Sequence, residues 1–165
     1  MMRQFKYFII VILLILLKCT WTPRTVLPEY LRVLYIPTAG NNTLQPGLSD
    51  SLTKQVIEEF ELDGRLTTSK HVSNAQGVLF CTIVKYKKVP ISYTDLGEID
   101  TTKLILGVNI KLRDIKSGEW ISDGDIEEEL EYNHKSEPVE TEVDAQARLI
   151  KQIAPRIVSK TIEGW

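Results

Sequence analysis

Histidine, cysteine and methionine are the scarce residues of this 165-residue chain, two of each. His71 and His134 lie far apart in sequence, and neither stands in a ligand spacing such as H-x-x-x-H, so the pattern offers no zinc site. Both read as surface or strand-end side chains. Two cysteines, Cys19 and Cys81, do not make a disulfide framework, although a bridge between them is chemically open in an oxidising compartment. Cys81 sits in an apolar run beside Phe80 and Ile83 and reads as a buried structural thiol, not a nucleophile. Walker, G-x-G-x-x-G and G-x-S-x-G signatures are absent, which removes the motif-based routes to nucleotide binding and serine hydrolysis. A basic excess is also missing. The 20 basic and 22 acidic groups give a net charge of -2, which argues against whole-protein nucleic-acid binding. The acidic run DGDIEEELE lacks the glycine that an EF-hand needs at its sixth position, where Glu128 stands instead. It reads as a solvated strand whose charge discourages sheet-to-sheet pairing. Nothing selects a carboxylate pair for glycoside hydrolysis.

What is present is a globular composition, 43% hydrophobic and 25% charged, on a length that suits one domain with a short accessory segment. The accessory segment is N-terminal. Arg3 and Lys6 precede the unbroken apolar run Phe8–Leu17, FIIVILLILL. As a helix, ten residues cover about 15 Å against a bilayer core of about 30 Å, so the run is short for a span and fits an export signal. The other reading is an uncleaved anchor, extended by Phe5 and Tyr7. Leu16-Leu17-Lys18-Cys19 resembles the lipobox of bacterial lipoproteins, with Cys19 as the acylated residue; Leu16 fits that pattern and Lys18 departs from it. Thr20 follows where an aspartate signals inner-membrane retention, so the resemblance favours the outer membrane. Two or more acyl chains would anchor stably where one holds only marginally. Removal of Arg3, Lys6 and Lys18 leaves a modestly acidic body, which is not a polybasic membrane patch.

Beyond a tether at 19–30, broken by Pro23 and Pro28, LRVLYI predicts a strand that ends at Pro37. Thr38–Gly47 reads as a loop, with Asn41-Asn42-Thr43 as turn chemistry. Leu48, Leu52, Val56 and Phe60 recur every fourth residue, with Ile57 widening the stripe, and predict a helix over Leu48–Leu62 stopped at Gly64. Arg65–Val72 predicts a short strand and Gly77–Tyr86 a longer one. In Lys103–Arg113 the apolar Leu104, Leu106, Val108, Ile110 and Leu112 share one face, while Ile105, Gly107, Asn109, Lys111 and Arg113 share the other. Asp114–Gly118 predicts a hairpin turn with Gly118 at positive φ. The strand Trp120–Tyr132 follows, with a bulge expected at Asp123-Gly124. A second helix is expected over Pro138–Glu163, its apolar side made of Val143, Ala147, Ile150, Ala154, Ile157 and Ile162, and kinked or split at Pro155. The sum is an α+β two-layer sandwich: a mostly antiparallel sheet of four to five strands, covered on one face by two helices. The organisation reads as an export segment over 1–18, a tether over 19–30 and one domain over 31–165.

Lys85, Lys87 and Lys88 cluster at one strand end, and Lys111 and Arg113 lie on the wetter face of the next strand. Such a set suits a phosphorylated amphiphile, cations taking phosphate and neighbouring Ile and Val taking acyl chains; an ordinary solvated face is the plainer reading. The pieces LRVLYIP, PGLSDSLTKQVIEEFELDGRL, GVLFCTIVKYKKVPISY, LILGVNIKLRDIKSGEW and RIVSKTIEGW, in this order and spacing, together resemble the LptE family of lipopolysaccharide-assembly lipoproteins. Pro46-Gly47-Leu48 with Glu58-Glu59-Phe60, and Leu112-Arg113-Asp114 with Gly118-Glu119, are the most specific. Lys18, Cys81 and Pro155 depart from the family pattern. The resemblance implies an α+β sandwich that plugs the β-barrel of a partner, LptD, at the periplasmic side of the outer membrane. It also implies contact with lipopolysaccharide, a membrane anchor through lipid on Cys19, no cofactor and no catalytic residue. Lys85, Lys87, Lys111 and Arg113 are the candidate lipopolysaccharide contacts on physical grounds. The alternatives are an exported lipoprotein with another binding role and a small hydrolase built on scattered carboxylates.

Overall fold

The computed structural model describes residues 27–135 and 140–163. The export segment, Cys19 and the expected helix start at Pro138 lie outside them. The elements are β1 (Val33–Tyr35), β2 (Gly40–Asn41), α1 (Leu48–Asp63), β3 (Thr67–Ser69), β4 (Gly77–Tyr93), β5 (Ile99–Asp114), β6 (Trp120–Asn133) and α2 (Glu142–Glu163). They form one sheet of six strands, one more than the upper expectation, in the order β3-β1-β4-β5-β6, with β2 also along β4. The extra strand, β2, is only two residues long and lies in the stretch read as a loop.

The sheet has two parts. The short strands β1, β2 and β3 pair in parallel, β1 with β3 and β4, and β2 with β4. Parallel neighbours need a crossover, and α1 supplies it between β1 and β3. The long strands β4, β5 and β6 form an antiparallel meander. Gln76 joins the two parts: its side-chain carbonyl accepts from the backbone N–H of Arg32 and Val33 at 3.0 and 2.7 Å.

Both helices cover one face. α1 buries Leu48, Leu52, Val56 and Phe60, the predicted stripe, and ends at Gly64, whose φ of 72° suits a residue without a Cβ. α2 buries Ala145, Leu149, Ile150, Ile153, Ala154, Ile157, Val158 and Thr161. Val143 is 71% exposed and Ala147 is exposed, so the expected stripe was anchored out of phase at its start. The helix begins at Glu142 because Thr141 and Asp144 form a reciprocal cap. Asp144 N–H donates to Thr141 Oγ1 at 3.2 Å, and Thr141 N–H donates to Asp144 Oδ2 at 3.1 Å. Pro155 does not split α2. It lies on the exposed side of the helix, where the carbonyl of Lys151, left without its usual donor, can turn to water.

The bulge expected at Asp123-Gly124 is not there. The β5–β6 register shifts between Leu112 and Arg113, opposite Ile121, and the β4–β5 register shifts at Val84. The turn after β5 forms as predicted, with Gly118 at φ 74°.

Candidate functional site

The face of the sheet away from the helices is the candidate site. On β5, period-2 alternation sends Leu104, Leu106, Val108, Ile110 and Leu112 under the helices, each no more than 1% exposed. Lys103, Ile105, Gly107, Asn109, Lys111 and Arg113 are left on the uncovered face. The same alternation on β6 puts Asp123, Asp125, Glu127, Glu129 and Glu131 on that face as an acidic column. Glu128 points the other way and pairs with Arg156 of α2.

Charged columns on adjacent strands lock together. Lys111 reaches Asp123 at 2.9 Å and Lys103 reaches Glu129 at 2.9 Å. Asn109 Nδ2 donates to Asp123 at 3.1 Å and to Asp125 at 2.9 Å. The Lys111 ammonium, with Asn109 behind it, holds the Asp123 carboxyl below its ordinary range. The contact of Lys85 with Glu127 spans a whole strand. Both residues register with Gly107, Lys85 from β4 and Glu127 from β6. The absent side chain at 107 lets the ammonium pass over β5 to the carboxylate at 2.8 Å. A Cβ at Gly107 would lie 3.0 Å from that of Lys85. The result is a hollow of about 510 Å³, lined by Thr82, Val84, Lys85, Asn109 and Glu127 among others.

The structure places Lys85, Lys87, Lys111 and Arg113 on this one face but not at one spot. Lys85 and Lys87 register with Gly107 and Ile105, whereas Lys111 and Arg113 register with Phe80 and Val78. Four residues of β5 separate Lys85 from Lys111, about 13 Å along the strand. Lys85 and Lys111 are paired with acids. Lys88 lies on the helix side and bonds Glu142 at 3.2 Å. Arg113 donates to the Gly118 carbonyl at 3.0 Å and holds its guanidinium 5.7 Å from the Trp120 ring centre.

Sequence reasoning missed the aromatic part of the face. Trp120 and Phe80 meet edge to face with centroids 5.9 Å apart, yet they stay 55% and 38% exposed. Their phase was legible, because Phe80 opposes Lys111 and Trp120 opposes Arg113, but the pairing of β4 and β6 around β5 was not.

The remaining sequence candidates are structural. Cys81 is buried and its thiol is pushed up to about 12 by desolvation. His134 Nε2 lies 2.9 Å from Thr102 Oγ1, with its ring against Tyr132; His71 is exposed at the start of a 3₁₀ turn. Among the described residues, no cluster of three His, Cys, Asp or Glu side chains is placed to hold a metal ion. The displaced carboxyls among them, Asp63, Asp114, Asp123 and Asp144, are all displaced downward. None is the raised carboxyl that a hydrolase would use as general acid.

The family model described as LptE, lipopolysaccharide-assembly, matches residues 31–161. Among solved structures, a variant PelC dodecamer from Paraburkholderia phytofirmans is similar with a TM-score of 0.55 and 13% identity, over 83% of this chain and 92% of that one. The rare lipoprotein B from Shewanella oneidensis is similar with a TM-score of 0.51 and 16% identity, over 79% and 93%. A minor lipoprotein from Acinetobacter baumannii has a TM-score of 0.52 and 18% identity, over 82% and 93%. At these identities the likeness is one of fold. No curated protein sequence matches the chain.

Proposed function

Because the chain belongs to the LptE lipopolysaccharide-assembly family, we propose that it works as a non-enzymatic assembly subunit, lipid-anchored through Cys19 to the periplasmic side of the outer membrane. There it plugs an LptD-like β-barrel and contacts lipopolysaccharide. Residues 1–18 act as the export segment and 19–30 as the tether of a single domain. The observation that carries this reading is the division of labour in the sheet. Two helices seal one face, and the three long strands leave the other uncovered, lined with cations, the carboxylates of β6 that pair with several of them, and apolar side chains. Lys87 and Arg113 form no ion pair with an acid among the described residues, so they are the cations readiest to take lipid A phosphates; Lys85 and Lys111 must first give up Glu127 and Asp123.

A crosslinked pulldown from outer membranes, with mass analysis of the N-terminus, tests the placement. The expected result is a large β-barrel partner and a diacyl or triacyl Cys19. An unmodified N-terminus without a barrel partner overturns it. For the ligand, K87E and R113E are expected to weaken lipopolysaccharide binding more than K85E and K111E while circular dichroism stays unchanged. Equal binding by all four variants removes these residues from the site.

A further inference from the structure

The end of the sheet at the β5–β6 turn gathers three features. The first is the chain's point of entry. Leu27 packs partly buried against the core. Tyr30 donates its hydroxyl to Asp114 of β5, and Lys116 holds its ammonium 5.5 Å from the Tyr30 ring centre. The described chain therefore begins near this turn, and the apolar run Phe8–Leu17 precedes it in sequence. The eight residue-to-residue steps from Cys19 to Leu27 can extend no more than about 29 Å.

The second feature is exposed apolar surface. Tyr30, Phe80, Ile115 and Trp120 are all exposed at this end. Trp and Tyr are the residues that settle where an apolar environment meets water, ring in and polar atom out. The third is charge. Arg113 holds its guanidinium over the Trp120 ring and Lys116 its ammonium over the Tyr30 ring, cation–π contacts that keep two exposed cations beside the aromatic groups with no carboxylate partner among the described residues. The acidic column of β6 runs away from this end, from Asp123 to Glu131. Asp114 is occupied by Tyr30, Lys116 N–H and Ser117, which leaves Glu119 as the exposed acid of the turn.

We infer that this end of the domain, with Tyr30, Phe80, Arg113, Ile115, Lys116 and Trp120, docks on the surface of the phospholipid bilayer that holds the anchor. The inference rests on the anchoring proposed above and goes beyond it. The tether brings this end within reach of the membrane, the rings enter the interface, and the two cations meet lipid phosphates. In this state, before the barrel encloses it, the domain stands with β4, β5 and β6 rising from the bilayer and its uncovered face open to that partner.

Trp21, Trp120 and Trp165 are the three tryptophans of the chain. The test uses the full-length lipidated chain carrying W21F and W165F, so that Trp120 alone reports. The chain is reconstituted in phosphatidylethanolamine and phosphatidylglycerol vesicles free of lipopolysaccharide, with and without bromine on the acyl chains. Flotation is measured on the same samples. The expected result is a floating chain whose Trp120 emission is blue-shifted and loses intensity in the brominated vesicles. Adding R113E and K116E is expected to reverse part of that loss. A chain that floats while Trp120 keeps a water-exposed spectrum, unquenched, overturns the docking surface and leaves anchoring intact. A chain that does not float overturns the anchoring and the docking with it. Quenching that is indifferent to R113E and K116E overturns the part assigned to the cations.

Discussion

The two faces of β5 are made from alternate residues of one strand, and they follow opposite rules. Leu104, Leu106, Val108, Ile110 and Leu112 lie in one continuous core with Phe60 of α1 and Ile153 and Ile157 of α2. Lys103, Asn109 and Lys111 lie on a surface where each charge or amide is answered by a carboxylate on β6. Burying apolar area supplies most of the folding free energy, whereas exposed ion pairs contribute little and weaken with salt. The inner column therefore fixes the fold. The outer column is held in register without contributing much to stability.

The largest test of that contrast is truncation on each face. Leu106→Ala is expected to cost about 2–5 kcal/mol in urea unfolding, from lost transfer energy and the cavity left under the helices. Asn109→Ala, three residues away on the outer face, is expected to stay within about 0.5 kcal/mol. Comparable losses from the two would break the comparison. Gly107→Ala probes where the faces meet. Its new methyl would crowd Lys85 at the Val84 bulge, and the expected cost is about 1–3 kcal/mol, the range for overpacking. The Lys85–Glu127 bridge should be displaced in the same variant. A thermal unfolding curve matching that of the unaltered chain would show that the strand at Gly107 yields more easily than its contacts imply.

The inner face was readable in the sequence because period-2 and near-4 periodicities are set by the core each element must share. The alternation of Lys103–Arg113 and the stripe Leu48-Leu52-Val56-Phe60 both appear as read. In α2 only the start, Val143 and Ala147, was read out of phase, because it depends on Thr141 and Asp144, a short-range cap that hydrophobic periodicity does not register, while Ile150, Ala154 and Ile157 are buried as read. Pro155 misled because a sequence gives the proline but not the side of the helix it occupies. β2 escaped notice because two residues carry no period. The outer face was legible only as a list of cations. Their ion pairing, their separation along β5 and the aromatic pair at Phe80 and Trp120 all depend on register between strands, which a single strand's pattern cannot supply.

The smallest expected effect concerns pH, and it sharpens the comparison at the edge between the faces. Asp114 is buried at the end of β5, and its carboxyl is held low first by the Tyr30 hydroxyl, then by Lys116 N–H and Ser117. Asp123 is held low by Lys111 on the open face. A carboxyl whose folded pKa is depressed adds stability above its unfolded value, about 3.9. That stability is lost as pH falls through the folded value. Both residues therefore steepen the loss of stability on acidification below about pH 4. The same hydrogen bond raises Tyr30, so its contribution is complete below the ordinary tyrosine value of about 10 and is lost as pH rises through the folded one. Tyr30→Phe should remove that alkaline loss and shift the Asp114 carboxyl upward, read by carbon-detected NMR titration. The acid slope added by Asp123 should fade in high salt, because its partner reaches it across solvent, while the slope added by Asp114 should persist, because a hydroxyl and backbone donors carry no charge for salt to screen. Equal salt sensitivity of the two slopes would mean that the turn at Asp114 is as open to water as the charged face beside it.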